Sequence, residues 1–338
     1  MTGTIVIAGP TASGKSALAM RLAAASGGVI VNADSMQLYR ELRIVTARPG
    51  PADEARVPHR LYGVLAADRP GSAGSWLAMA QGAIEAASAE GRAAIVVGGT
   101  GLYLHALLHG LADVPPVPAE ARAAASALYR RLGGPAFHAE LQARDPLMAA
   151  RLAPHDRQRL LRAFEVVEAT GRSLADWQAE APARVALPAP VTGIALMPPR
   201  AEVYARIGRR LEAMVAAGAL DELRALKGLG LAPDLPLLKA VAVRELLAHL
   251  EGRADLDSAL ERATIQTRRY AKRQLTWLRH QMPELTPVAR FGDAVDILAE
   301  PAIAAIGRLL TNAVSPHTVP FDRRSGRDFA KNKNLQPQ

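Results

Sequence analysis

Residues 9–16 read Gly9-Pro10-Thr11-Ala12-Ser13-Gly14-Lys15-Ser16, directly after the β-branched run Thr4–Ala8 and before an Ala- and Leu-rich stretch that reaches Ala25. No other feature limits so tightly what this chain can fold into. A backbone that turns from strand to helix around an anion must aim successive amides inward, and glycine removes the Cβ that would obstruct them. The first turn of the helix adds a favourable dipole. The spacing Gly-x4-Gly-Lys-[Ser/Thr] therefore predicts a phosphate cradle made by Gly9, Pro10, Thr11, Ala12, Ser13, Gly14, Lys15 and Ser16. Lys15 supplies a mobile charge for a terminal phosphate, and Ser16 is placed to ligate Mg²⁺. The loop says that phosphates bind, and does not say what happens to them.

Three further β-branched runs, Val29–Ala33, Ala94–Val97 and Val191–Leu196, read as buried strands with helical stretches between them. Strands alternating with helices predict an α/β fold, a P-loop NTPase-like parallel sheet flanked by helices. Asp113-Val114-Pro115-Pro116-Val117-Pro118 cannot continue a helix, and Pro182, Pro188 and Pro190 mark a second break. Between them the pattern is helical only. The chain of 338 residues then divides into four. Residues 1–112 form the first part of the core, 113–187 an all-helical insertion, and 188–310 the rest of the core with basic helices. Residues 311–338 form a basic tail expected to be disordered. From Arg200 to about Leu310 the chain is expected to be helical.

Hydrophobic residues make up 49% and charged residues 22%, which suits a packed core and excludes a wholly disordered chain. The absence of cysteine excludes disulfides, thiolate metal sites and a thiol nucleophile. No apolar run approaches the roughly 20 residues needed to cross a bilayer. No basic lead precedes Thr4, so a cytoplasmic protein is expected, a monomer by default.

Lys and Arg number 41 against 32 Asp and Glu, a net charge of +9. Only 6 of those cations are Lys, which fits a GC-biased codon supply, so the placement of the cations decides more than their sum. Residues 113–187 are nearly neutral, yet Arg151–Arg162 holds four Arg and one Asp. Arg157–Thr170 reads as a helix with Asp156 as N-cap and Gly171 as C-cap, its core face formed by Leu160, Leu161, Phe164 and Val167. Ser258–His280 reads as a second helix, with Leu260, Ala263, Thr267, Ala271, Leu275 and Leu278 on one stripe. Arg262, Arg268, Arg269, Lys272, Arg273, Arg279 and His280 line its flanks. No acid occurs from 262 to 283. A solvated face normally mixes signs, so this one favours a nucleic-acid partner. Tyr270 and Trp277 read as packing residues.

The second strand runs into Asp34-Ser35-Met36-Gln37. In a doubly wound sheet ligands sit at the carboxyl ends of the strands, so Asp34 should face the cradle. It reads either as a metal-orienting acid or as a general base beside Ser35 and Gln37. The third strand ends in Gly98-Gly99-Thr100-Gly101, where Thr100 offers a hydroxyl and a helix N-cap.

These motifs together resemble the tRNA dimethylallyltransferases, also called tRNA isopentenyltransferases. The resemblance rests on Gly9–Ser16, Asp34–Gln37, Thr46-Ala47-Arg48-Pro49, Pro58-His59-Arg60-Leu61, Val97–Tyr103, Asp156–Val166 and Ala271–Arg279, all in order along the chain. It implies transfer of a dimethylallyl group from dimethylallyl diphosphate to N6 of adenosine 37, in the anticodon stem-loop of tRNA. Mg²⁺ would be the cofactor, with Ser16 as its protein ligand. Asp34 would be the base and Thr100 would orient the amine, while Lys15 and Ser16 steady the leaving group. Arg206 and Arg210, four apart on the helix expected at Glu202–Ala216, would help the loop clamp the diphosphate. By the same resemblance tRNA is gripped by Asp34, Ser35, Met36, Gln37, Thr100, Arg122, Gln158, Arg159, Leu160, Leu161 and Arg162, and the acid-free helix adds Arg268, Lys272 and Arg273. One departure stands out: Val241-Ala242-Val243-Arg244 replaces the expected Val-Gly-Tyr-Arg. From the residues alone, a small-molecule kinase using ATP and a nucleotide switch that binds nucleic acid remain as alternatives.

Overall fold

The computed structural model describes residues 3–180, 187, 188, 191–233, 235–297, 299–301, 303 and 306. The tail from 311, expected to be disordered, lies outside them. β1 (Thr4–Ala8), β2 (Val29–Asn32), β3 (His59–Arg60), β4 (Ala94–Gly98), β5 (Val191–Leu196) and β6 (Thr286–Val288) form one parallel sheet. Their order is β3-β2-β4-β1-β5-β6. The four strands read from sequence are present. β3 and β6 are additional edge strands, and β6 corrects the expectation of unbroken helix toward residue 310. After Gln281 the chain returns to the sheet and then makes a short turn, Gly292–Ala294.

Alternation along the strands divides the sheet's side chains between two layers. Ile5, Ile7, Ile30, Ile95, Val97 and Ile194 pack on Leu18 and Leu22 of the phosphate-loop helix, Lys15–Ser26. Val6, Ala8, Val31 and Val96 pack on Trp76 and Ile84 of helix Ala73–Ala89, with Tyr103 and Leu104 of helix Gly101–His109. Trp76 stacks on Tyr103 at 4.5 Å and donates its indole N–H to the Asn32 carbonyl at 2.8 Å. That bond satisfies a polar atom at the end of β2, next to Asp34.

Two more clusters surround this core. Helices Arg200–Ala216, Ala219–Gly228, Val243–Leu250 and Leu256–Gln281 pack through Val203, Ile207, Leu223, Leu246, Ala263 and Ala271. Helices Ala119–Arg144, Pro146–Ala149, Arg157–Thr170 and Leu174–Ala179 close over a core of their own, with Phe137, Leu141, Leu160, Phe164 and Val166. Among the described residues no helix is long and apolar enough to cross a membrane.

Ala242, where the resemblance leads one to expect glycine, caps helix Val243–Leu250 at φ 71°, ψ −19°. The left-handed conformation crowds a Cβ against the carbonyl, which glycine would avoid. Val243 is fully buried, so the ring expected there has no surface to reach.

Candidate active site

The phosphate loop turns through Ala12 at φ 62° and Gly14 at φ 81° before the helix begins at Lys15. Gly14 has a second reason to lack a side chain: a Cβ there would lie 2.5 Å from Asp293 Oδ1 and 2.9 Å from the Gly292 nitrogen. The Gly292 N–H donates to the Ser13 carbonyl at 2.9 Å, so the turn after β6 backs the loop. The Ser13 hydroxyl is buried with no protein partner, inside a loop built to present hydrogen-bond donors. The Lys15 ammonium donates to the Pro10 carbonyl at 3.2 Å, curled over its own loop. Burial lowers its pKa to about 8; the Asp34 charge opposes that shift and Arg210 adds to it.

Asp34 lies just beyond β2, held by a reciprocal pair. The Asn32 amide donates to the Asp34 carbonyl at 3.0 Å and accepts the Asp34 N–H at 2.8 Å. Its carboxylate accepts the Met36 N–H at 3.0 Å, which fixes the side chain without enclosing it. Thr100 caps helix Gly101–His109 by position, but its hydroxyl makes no capping bond. It accepts the Ser35 N–H at 2.9 Å and donates to the Ser35 hydroxyl at 3.3 Å. The hydroxyl therefore ties the ends of β2 and β4 together beside Asp34, and Thr100 serves as the N-cap expected of it by position alone. Gln37 donates its amide to the carbonyls of Thr46 (2.8 Å) and Ala47 (3.2 Å) and holds the loop that follows.

Asp34, Ser35 and Met36 line a cavity of about 270 Å³ with Thr11 of the phosphate loop, Thr46, and Tyr270 and Arg273 of the long basic helix. A smaller recess of about 60 Å³ runs from Thr11 to Arg210. Burial lowers the Arg210 pKa and the Asp34 charge opposes it, as at Lys15, so both cations lie within the field of one carboxylate. Arg206 goes elsewhere. It pairs with Asp293 at 2.8 Å and lies 3.6 Å over the Phe291 ring, on the turn that backs the phosphate loop.

The expected RNA-facing residues separate in the same way. Lys272 and Arg273 are exposed on helix Leu256–Gln281, whereas Arg268 turns inward, donating to the Tyr204 carbonyl at 3.4 Å. Arg122, Gln158 and Arg159 are exposed on the helical unit. Arg162 is half-buried; burial lowers its pKa, Glu165 opposes that and Arg122 adds to it. Leu160 is fully buried in the core of that unit and offers no surface, and Leu161 packs against the same core.

Sequence reasoning passed over Gln274. Its side chain accepts the Thr11 N–H at 2.9 Å and donates to the Gly99 carbonyl at 2.8 Å. The signal was a polar residue inside the buried stripe Thr267, Ala271, Gln274, Leu278. Glu222 was missed as well. Its carboxylate accepts the N–H groups of Arg43, Ile44 and Val45 at 2.6, 2.8 and 3.0 Å, and nothing local in the sequence announces it.

Residues 37–281 match the family model for the IPP transferases. A protein of Nitrobacter hamburgensis named tRNA dimethylallyltransferase is 54% identical over 280 residues, 83% of this chain and 88% of its own. One of the same name from Rhodospirillum rubrum is 56% identical over 278 residues, 82% of this chain and 85% of its own. The crystal structure of the full-length tRNA isopentenylpyrophosphate transferase from Bacillus halodurans superposes with a TM-score of 0.65 at 29% identity, covering 93% of this chain and 98% of that one. The ordered motifs, the site they assemble and these matches agree: the chain belongs to the tRNA dimethylallyltransferase family, the IPP transferases.

Proposed function

We propose that this chain transfers the dimethylallyl group of dimethylallyl diphosphate to N6 of adenosine 37 in tRNA, releasing diphosphate. One observation carries the reading: a single cavity is lined by the phosphate loop, by a fixed carboxylate and by the basic helix. A leaving group, a base and a polyanion's surface thus meet at one place. In the reaction the allylic C1–O bond breaks, the N6–C1 bond forms, and the N6 proton passes to the Asp34 carboxylate. The amine is a poor nucleophile because its lone pair is delocalised into the ring, so a base at that atom helps. Loop amides, Lys15 and Arg210 are placed to stabilise charge as it develops on the departing diphosphate. Thr100, fixed to Ser35, orients the amine, and adenosine leaves the anticodon stack to reach it.

No group of three or more acidic or histidine side chains that could hold a metal occurs among the described residues, and Ser16 is exposed on the first turn of the loop's helix. One hydroxyl with diphosphate oxygens and water suits Mg²⁺, which keeps much of its hydration. Ser16 would hold that ion, and the ion would neutralise charge on the leaving group. The exposed cations Arg122, Arg159, Lys272 and Arg273, with Gln158, form the surface for the anticodon stem-loop. Residues 113–187 act as the unit that grips it, and the enzyme works as a cytoplasmic monomer.

The test combines purified protein, Mg²⁺, labelled dimethylallyl diphosphate and unmodified tRNA bearing A36-A37-A38. Label on adenosine 37 is expected. No label, with phosphoryl transfer from ATP to a small alcohol instead, overturns the proposal in favour of a kinase.

A further inference from the structure

The helix Leu256–Gln281 carries Lys272 and Arg273 outward, but one buried amide on its inner side touches both halves of the site. Gln274 is 6% exposed. The Thr11 N–H needs an acceptor and the Gly99 carbonyl needs a donor, and a primary amide supplies both on one planar group. These two partners fix the orientation of the amide. Gly99 is shaped to this contact: a Cβ there would lie 2.2 Å from Gln274 Nε2 and 3.0 Å from the Gly9 carbonyl. The residue after Gly99 is Thr100, which is bonded to Ser35 beside Asp34. One turn earlier on the helix, Tyr270 contacts the side chains of Thr100 and Gln274. A single side chain thus spans the gap between the loop that holds the leaving group and the turn that holds the attacking amine.

We propose that Gln274 is a positioning residue that sets the spacing between the phosphate loop and the Thr100 turn, and with it the approach of N6 to C1. It touches neither substrate and acts through Thr11 and Gly99. The inference rests on the transfer reading for its meaning, though the spacing itself can be probed without it. A misplacement of about 1 Å between reacting atoms can cost on the order of 10²-fold in rate.

Two variants separate this role from simple support of the fold. Gln274→Met fills similar space with no strong donor or acceptor. Gln274→Glu keeps an acceptor for Thr11 but sets a carboxylate against the Gly99 carbonyl, until protonation restores a donor. Wild type is assayed first; if it transfers no label, the transfer reading fails, whatever the variants do. Inorganic diphosphate titrated calorimetrically into wild type and Gln274→Met then still reads the loop, with weaker binding expected in the variant. With transfer active, Gln274→Met should lower kcat on the order of 10²-fold. The KM for tRNA should stay within about twofold, because the outward cations are untouched. The ratio of Gln274→Glu to wild-type kcat should rise as pH falls from 8 to 5.5. A methionine variant with kcat within about twofold of wild type overturns the proposal, as does a loss carried mainly in the KM for tRNA. A kcat ratio for the glutamate variant that is flat with pH overturns it too. If the methionine variant does not fold, the pH dependence of the glutamate variant decides alone.

Discussion

Two sets of cations in this enzyme have opposite surroundings. Lys15 and Arg210 sit where burial lowers their pKa, and both lie within the field of Asp34. Lys272, Arg273, Arg122 and Arg159 stand exposed on the long helix and on the helical unit. A charge withdrawn from water acts strongly on whatever lies beside it, whereas an exposed one acts weakly, at longer range, and is screened by salt. The first population suits a reacting centre and the second suits a polyanion. Composition merges the two into one net charge, and only burial tells them apart.

The sharpest way to break that division is to remove the carboxylate whose charge both half-buried cations feel. Asp34→Asn should lower kcat by about 10²- to 10⁴-fold, the range of a lost general base. Affinity for tRNA, measured by filter binding, should move by less than about twofold if the exposed set carries binding. An equal loss of affinity would move Asp34 from chemistry to recognition.

Titration of Lys15 tests the buried set next. Its pKa near 8 means that the free enzyme loses this charge as pH rises, so kcat/KM for dimethylallyl diphosphate should fall above pH 8, approaching about tenfold per pH unit. Unfolding would not explain such a fall. The folded pKa lies below the ordinary 10.5, so between 8 and 10.5 the unfolded chain binds more protons and the contribution of Lys15 to stability rises with pH. A flat profile through pH 9 would separate Lys15 from diphosphate capture.

For the exposed set, Arg273→Ala should weaken tRNA binding several-fold and reduce the slope of log K against log salt by about 0.9. Arg268→Ala should leave that slope unchanged, since its guanidinium turns to Tyr204. Equal effects from both would erase the distinction between inward and outward cations on this helix. The smallest expected effect concerns stability alone. Ala242→Gly should raise it by about 1 kcal/mol through relief of the left-handed backbone, read as a higher melting temperature with unchanged kcat.

Much of this site was legible in the chain because its signals are local. The loop at 9–16, the β-branched strands and the acid after β2 each combine a spacing with a known backbone requirement, and the helix Arg157–Thr170 appears with both expected caps. What escaped was set by distant parts of the fold. β3 is two residues long and polar, β6 carries a proline, and both are edge strands without an alternating pattern. The i, i+4 rule placed Arg206 and Arg210 on one face, and it could not show that Arg206 pairs with Asp293, remote in sequence. Leu160 shows the opposite case. A family's contact stretch named it, while helical periodicity had already assigned it to the core, and its burial follows the periodicity.

The turn at 291–295 supports the underside of a nest formed nearly three hundred residues earlier. Arg21 fastens it from the first helix by donating to the carbonyls of Gly292 and Val295. The match to the family pattern ends at 281, before that brace begins. A version of the enzyme cut after residue 281 would keep every residue named in the reaction and still lose the floor beneath Ser13 and Gly14. Its catalytic unit is therefore longer than its motifs.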